Sequence, residues 1–187
     1  MPQPRDVIRD AARHAPMKLS EFLQGKWLGH PLHAALVHVP IGAWLVACAI
    51  DVAFFADWIA GPVPLRLAQY AVAFGLLGAL ISIPPGLADW LQIKPDKPAK
   101  KLGVYHMLLN AASAALWGVN FALRLVHPDT ITTSILLTSL GGTALLFASA
   151  YIGSLMVYDH GIGVARFSKK ELRPRAVRAG SRVPDES

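Results

Sequence analysis

The segment ITTSILLTSLGGTALLFASAYIGSLMVY, residues 131–158, decides the fold class, because it contains no charged residue and no histidine. A helix needs about 20 mostly apolar residues to cross the hydrocarbon core of a bilayer. A helix on the surface of a soluble protein would carry polar or charged residues along one face of such a run. The segment therefore predicts a transmembrane helix.

Three further runs of the same kind precede it, at residues 34–59, 65–88 and 104–126. The whole chain of 187 residues is 53% hydrophobic and only 16% charged, whereas soluble domains carry about 25% charged residues. We therefore expect an all-α integral membrane protein, a four-helix bundle with residues 29–164 as its transmembrane domain.

The basic residues predict the orientation of these helices. Of the 18 Lys and Arg residues, 16 lie in residues 5–26, 94–101 and 166–182. Four crossings put these three segments on one side of the membrane, and Lys and Arg in short loops favour the cytoplasm. Both termini are thus expected to be cytoplasmic. Aromatic residues do not alternate with the basic ones, which argues against a nucleic-acid partner.

Two terminal segments flank the predicted bundle. Residues 1–28 form a polar cytoplasmic segment in which residues 5–24 are compatible with an interfacial helix. Residues 165–187 are basic and polar, so we expect a disordered cytoplasmic tail. Cys48, the only cysteine, excludes an intramolecular disulfide and is expected to pack in the apolar interior.

Polar residues gather at the predicted cytoplasmic ends of all four helices. Ionisable groups at membrane depth are costly and mark candidate functional sites. Pro40 and the pair Pro84–Pro85 should interrupt the first and second helices near this level, because proline lacks the N–H of a helical hydrogen bond. The residues concerned are His33, His38, Asp89, His106, Asn110, Asp159 and His160.

A second polar group is expected deeper in the bilayer. Asp51 and Asn120 lie at matching depths on the first and third helices, so we predict that Asp51 pairs with a polar group of the third helix, Asn120 first. Arg124 should extend toward the outer surface. The sequence itself shows no internal repeat.

Several of these motifs together resemble a bacterial membrane family known as domain of unknown function 2231. The resemblance covers about residues 29–164. The activity of the family is unknown. Members resemble four-helix membrane cytochromes, and some are associated with Rieske iron–sulfur domains, which implies redox chemistry in the bacterial inner (plasma) membrane. The chain has no Rieske cysteines. The matching residues are 29–33, 36–42, Asp51, 85–90, His106, Asn110, Gly153 and 157–164.

The first hypothesis for the polar cluster is a b-type haem at the cytoplasmic face. Haem iron accepts two imidazoles, and helix bundles bind cofactors between facing helices. His38 and His106 are the preferred axial pair, and Asn110 lies one turn from His106 on the same helix face, where it could line the cavity. His33 and His160 are the alternatives. A Rieske-type protein would then be a natural redox partner.

Other hypotheses stay open beside haem. A zinc or iron site could use His33, His38, His106 and His160 with Asp89 or Asp159, since imidazole and carboxylate suit both metals. The cluster could also only join helix ends in a structural or assembly subunit. A proton-coupled transporter is less favoured in so short a chain. The lipid bilayer is the expected partner in every case, and a homo-oligomer is left open.

Overall fold

The computed structural model describes residues 17–162, and this part of the chain is helical without strands. Four helical spans are long and apolar enough to cross a membrane, which confirms the predicted fold class. Their bounds are Leu32–Phe55, Pro62–Leu91, Pro98–Val126 and Thr133–Tyr158. The predicted tail and the first part of the predicted interfacial helix lie outside the described residues.

The N-terminal segment reaches the first span through two short turns, a helix at Leu19–Leu23 and a 3₁₀ helix at Lys26–Leu28. Half-exposed Phe22 and Trp27 stack with ring centroids 5.6 Å apart. Gln24 donates a side-chain hydrogen bond to the carbonyl of Ala88, 3.3 Å away. The segment is therefore attached to the end of the second span, with aromatic rings placed as at a membrane interface.

The observed ends of the helices differ by a few residues from the ends of the apolar runs in the sequence. The third span begins at Pro98, six residues before the predicted 104, because Lys100 and Lys101 continue the helix outside the apolar run. The first span ends at Phe55 instead of residue 59, and Asp57 follows with a positive φ of 56°. Apolar runs locate a span well, but they do not report its polar turns.

The two proline motifs behave differently. The first span is interrupted at Val37, between the helices Leu32–Leu36 and His38–Phe55, as expected from Pro40. Pro84 and Pro85, in contrast, stay inside the continuous helix Pro62–Leu91, so the predicted interruption there is wrong. His33 of the first span packs on Gly86 beside these prolines, and neighbouring helices help a transmembrane helix to tolerate proline.

Consecutive spans pack as two helical hairpins, the first with the second and the third with the fourth. The hairpins meet through contacts of the first span with the fourth and of the second with the third. Trp44, Trp117 and Cys48 lie in the main core, as predicted for the cysteine. Large apolar side chains such as Phe74 and Phe147 are exposed on the outside, which suits a surface that faces lipid.

The two hairpins repeat the same residue spacings, which corrects the expectation that the chain has no internal repeat. In both the first and the third span, a tryptophan follows a histidine by eleven positions, and an ionisable residue follows that tryptophan by seven. In the second and fourth spans, seven and then four residues separate Gly, Ser and Gly. An approximate two-fold axis along the bundle therefore relates the hairpins. The corresponding residues are His33, Trp44, Asp51, Gly75, Ser82 and Gly86 with His106, Trp117, Arg124, Gly142, Ser149 and Gly153.

Candidate functional site on the bundle axis

Three pairs of side chains from the first and third spans meet on the axis. The rings of His33 and His106 meet edge to face at the end where residues 17 and 162 lie, with centroids 6.5 Å apart and planes at 87°. The second pair, Trp44 and Trp117, stacks with centroids 5.5 Å apart. It lies about 16 Å deeper, as eleven residues at 1.5 Å each require. The third pair is deeper still, and it is the buried ion pair of Asp51 with Arg124.

His33 is positioned by the second span. Its Nδ1 lies 3.0 Å from the carbonyl oxygen of Ser82, and a carbonyl only accepts, so Nδ1 carries the proton. The ring packs directly on Gly86, where a Cβ would come within 2.7 Å of the imidazole. The glycine is needed for this approach, and the hydrogen bond leaves Nε2 of His33 as the nitrogen with a free lone pair.

His106 is positioned by the fourth span in the same way. Its Nδ1 lies 2.8 Å from the carbonyl oxygen of Ser149, and its ring packs over Gly153. Two differences separate the repeats. The hydroxyl of Ser149 also lies 2.9 Å from Nδ1 of His106, whereas the hydroxyl of Ser82 donates to the carbonyl of Gly78 in its own helix. The side-chain amide of Asn110 donates to Nε2 of His106 at 3.0 Å. The residue in the corresponding place of the first span is Val37, which has no side-chain donor. The two imidazoles are therefore alike in placement and different at Nε2.

The structure does not bring together the predicted axial pair of His38 and His106. His38 is exposed, and its Nδ1 lies 3.3 Å from the carbonyl of Ala35 in the preceding helix, Leu32–Leu36. The reason is helical geometry: five residues rotate a side chain by about 140°, so an inward His33 turns His38 outward. The interruption at Val37 does not reverse this rotation. His33, the predicted alternative, occupies the position opposite His106.

The other predicted metal ligands also lie apart from the imidazole pair. Asp89 and His160 line a cavity of about 610 Å³ at the end of the bundle, together with Lys94 and Lys97. Asp159 is exposed beside it. Within residues 17–162, no group of three or more His, Cys, Asp or Glu side chains is arranged to hold a metal ion. The six predicted ligands thus divide among separate places.

Asp51 pairs with the helix that was predicted, but with a different residue of it. Asp51 pairs with a third-span residue, as predicted, but through Arg124 rather than Asn120. Arg124 is only 3% exposed and does not extend to the surface, which corrects that expectation. Its Nε donates to Oδ1 of Asn120 at 2.8 Å, and Ser139 donates to Asp51. Charge pairing outweighs the matched depth of Asp51 and Asn120.

Comparison with protein families agrees with the resemblance seen in the sequence. The model of a family described as predicted membrane protein (DUF2231) matches residues 29–166. The chain belongs to the DUF2231 family. No curated protein and no solved structure matches it. The matched region of this DUF2231 protein contains all three axial pairs and both hairpins.

Sequence reasoning missed the partners that build this site. Ser82 and Ser149 were not singled out, because serine is common in membrane helices, and Gly86 was noted only as part of the motif at residues 85–90. The repeated spacing of His, Trp and an ionised residue on the first and third spans was the available indication. Matching Gly, Ser and Gly spacings on the second and fourth spans would have identified the helix that holds each imidazole.

Proposed function

We propose that this membrane protein is a redox subunit that binds a b-type haem, or another imidazole-ligated redox metal, between His33 and His106. The observation that carries the proposal is the pair of neighbouring imidazoles, each fixed through Nδ1. Nε2 of His33 is left as a ligand atom, and Nε2 of His106 is occupied by the side-chain amide of Asn110. Metal-binding histidines are commonly oriented by such a bond to a carbonyl.

The spacing of the two rings is compatible with this chemistry. Their centroids are 6.5 Å apart and their planes are at 87°, so one metal could be held between them by imidazole bonds of about 2.0–2.1 Å. Two ligands suit the axial positions of haem iron better than a tetrahedral zinc site, which takes four. When bound, the haem would supply one-electron transfer.

The residues around the pair have defined tasks under this proposal. Ser82 and Ser149 hold the proton on Nδ1, which keeps both Nε2 lone pairs available. Asn110 would have to turn away from Nε2 of His106 before that nitrogen could bind a metal. A Rieske-type iron–sulfur protein is the class of redox partner that we propose.

We expect the purified protein to show a low-spin haem spectrum that both His33→Ala and His106→Ala abolish or convert to high spin. Absorption spectra of the oxidised and dithionite-reduced protein, with metal analysis, provide the measurement. His38→Ala and His30→Ala are matched controls because both histidines are exposed. They should leave the spectrum unchanged.

Two outcomes would contradict the assignment. A spectrum lost in His38→Ala and kept in His33→Ala would restore the pairing of His38 with His106. A wild-type protein without haem or stoichiometric metal would favour a second candidate, a structural subunit. That candidate is favoured by the same hydrogen bonds, because each imidazole ties its own span to the next one.

The proposed orientation places both termini in the cytoplasm and the protein in the bacterial inner membrane. Within residues 17–162, Lys18, Lys26, Lys94, Lys97, Lys100 and Lys101 all lie toward the end with the termini. Arg66 and Arg124 lie toward the other end, and Arg124 is paired with Asp51. This asymmetry supports the orientation through the preference of Lys and Arg for the cytoplasm.

Reporter fusions test the orientation directly. We expect a cytoplasmic reporter to be active after Met1 and Ser187, and a periplasmic reporter to be active when inserted between the third and fourth spans, at residues 127–130. An insertion at residues 94–97 is the matched control, since that loop lies on the side of the termini. Periplasmic activity at Ser187 would reverse the topology.

A further inference from the structure

Three buried polar atoms make no hydrogen bond within the described part of the chain. They are Oδ1 of Asp51, Nε1 of Trp117 and Oγ1 of Thr143. Asp51 and Trp117 are both 0% exposed, so neither atom can be satisfied by bulk solvent. Burying such groups without a hydrogen-bond partner is unfavourable, which makes a shared partner favourable.

The three atoms converge on one stretch of the fourth span. Asp51 accepts a hydrogen bond from Ser139 through its other carboxylate oxygen. Thr143 lies four residues after Ser139, so both side chains share one helix face. Nε1 of Trp117 lies against Gly142, 2.7 Å from where a Cβ would be. All three groups therefore lie next to one stretch with a rise of four residues, about 6 Å along the helix axis.

The repeat shows that Trp117 differs from its counterpart. Trp44 donates from Nε1 to the carbonyl of Val72, 3.4 Å away. Val72 lies three residues before Gly75, and the corresponding residue in the second hairpin is Ser139, three before Gly142. Trp117 does not bond to the carbonyl of Ser139. Its indole N–H lies against Gly142 and has no hydrogen-bond partner among the described residues.

The chemistry of the three atoms selects the ligand. An indole N–H only donates, so the ligand must accept a hydrogen bond, which excludes a metal cation at that contact. A carboxylate oxygen only accepts, so the ligand must also donate, which excludes a simple anion. Arg124 already balances the charge of Asp51. A neutral molecule that both accepts and donates is required.

We propose that a single ordered water molecule binds here, accepting from Trp117 and donating to Oδ1 of Asp51, with the hydroxyl of Thr143 as a third partner. Two hydrogen bonds of about 2.8–3.0 Å each, meeting at a roughly tetrahedral angle, let a water bridge atoms about 4.5–5 Å apart. Buried waters typically make about three hydrogen bonds. The water joins the tryptophan pair to the ion pair in one polar network, independently of any cofactor at His33 and His106.

Nuclear magnetic resonance of the ¹⁵N-labelled full chain in deuterated detergent micelles tests this site. The indole N–H of Trp117 should show a cross-relaxation peak to water, whereas that of Trp44, bonded to Val72, should show none. Trp117→Phe and Trp44→Phe assign the two resonances. Thr143→Leu, which places an alkyl group in the site, should remove the Trp117 water peak and leave the Trp44 resonance in place.

Two results would overturn the proposal. One is a Trp117 indole without a water peak in the wild-type protein. The other is a pair of observations in Thr143→Leu: the Trp117 water peak keeps its intensity, and Trp44 shows a water peak as well. That result would indicate general water entry between the hairpins instead of one bound molecule.

Discussion

Asp51→Ala is expected to destabilise the bundle by about 3–5 kcal/mol, the typical cost of removing one partner from a buried ion pair. Arg124 is 3% exposed, and its charge would be left in the interior with only the amide oxygen of Asn120 as a partner. Equilibrium unfolding in mixed micelles, followed by tryptophan fluorescence, measures the change. A loss below about 1 kcal/mol, the value of a solvent-exposed pair, would contradict this expectation.

The double variant Asp51→Leu/Arg124→Leu is the informative companion. It removes both charges and fills the space with apolar side chains, and such replacements are often neutral or stabilising. We expect it to recover more than half of the loss. Recovery would show that the uncompensated charge, rather than lost packing, destabilises the single variant. A double variant that is less stable than either single one would argue for a packing role.

Gly75→Ala is the second large effect, with an expected destabilisation of about 1–3 kcal/mol from overpacking. The added Cβ would lie 2.3 Å from Nε1 and 2.4 Å from Cδ1 of Trp44. Trp44 cannot move away easily, since it is 2% exposed and stacked on Trp117. The same unfolding measurement applies, and the fluorescence of the native state should change as the indole shifts.

Gly118→Ala provides the matched control in the third span. Nothing lies within 4 Å of a Cβ at this position, so the substitution should stabilise the helix by about 0.5–1 kcal/mol through backbone entropy. Gly142→Ala should resemble Gly75→Ala, because its Cβ would meet Nε1 of Trp117 at 2.7 Å. Equal effects of Gly75→Ala and Gly118→Ala would contradict the close approach of Trp44.

The fold was predictable because membrane insertion depends on long apolar runs, which the sequence displays directly. Residues 131–158 required a spanning helix whatever they packed against. The deep pairing of Asp51 with the third span was also predictable, since a buried carboxylate needs a partner. Which partner it takes depends on side-chain reach, and the long Arg124 side chain reaches Asp51 although it lies one turn further along than Asn120.

The imidazole site was less predictable because it depends on helix rotation and close approach. His33 and His38 are equally polar in the sequence, and only the rotation of the first span decides which one faces the axis. The rotation follows from packing on Gly86 and Ser82, which no apolar pattern reports. The internal repeat was hidden because corresponding positions hold Asp51 and Arg124, residues of opposite charge that sequence comparison scores as unlike.

That opposite charge has a consequence for how such a bundle can be assembled. Two identical hairpins around a two-fold axis would place the same residue against itself, so an Asp51 would meet another Asp51. Two like charges buried side by side cannot both stay ionised. Duplication within one chain removes this restriction, because each copy can change alone. Having become complementary, the halves are no longer interchangeable, and a gene encoding the first hairpin twice should not yield a stable protein.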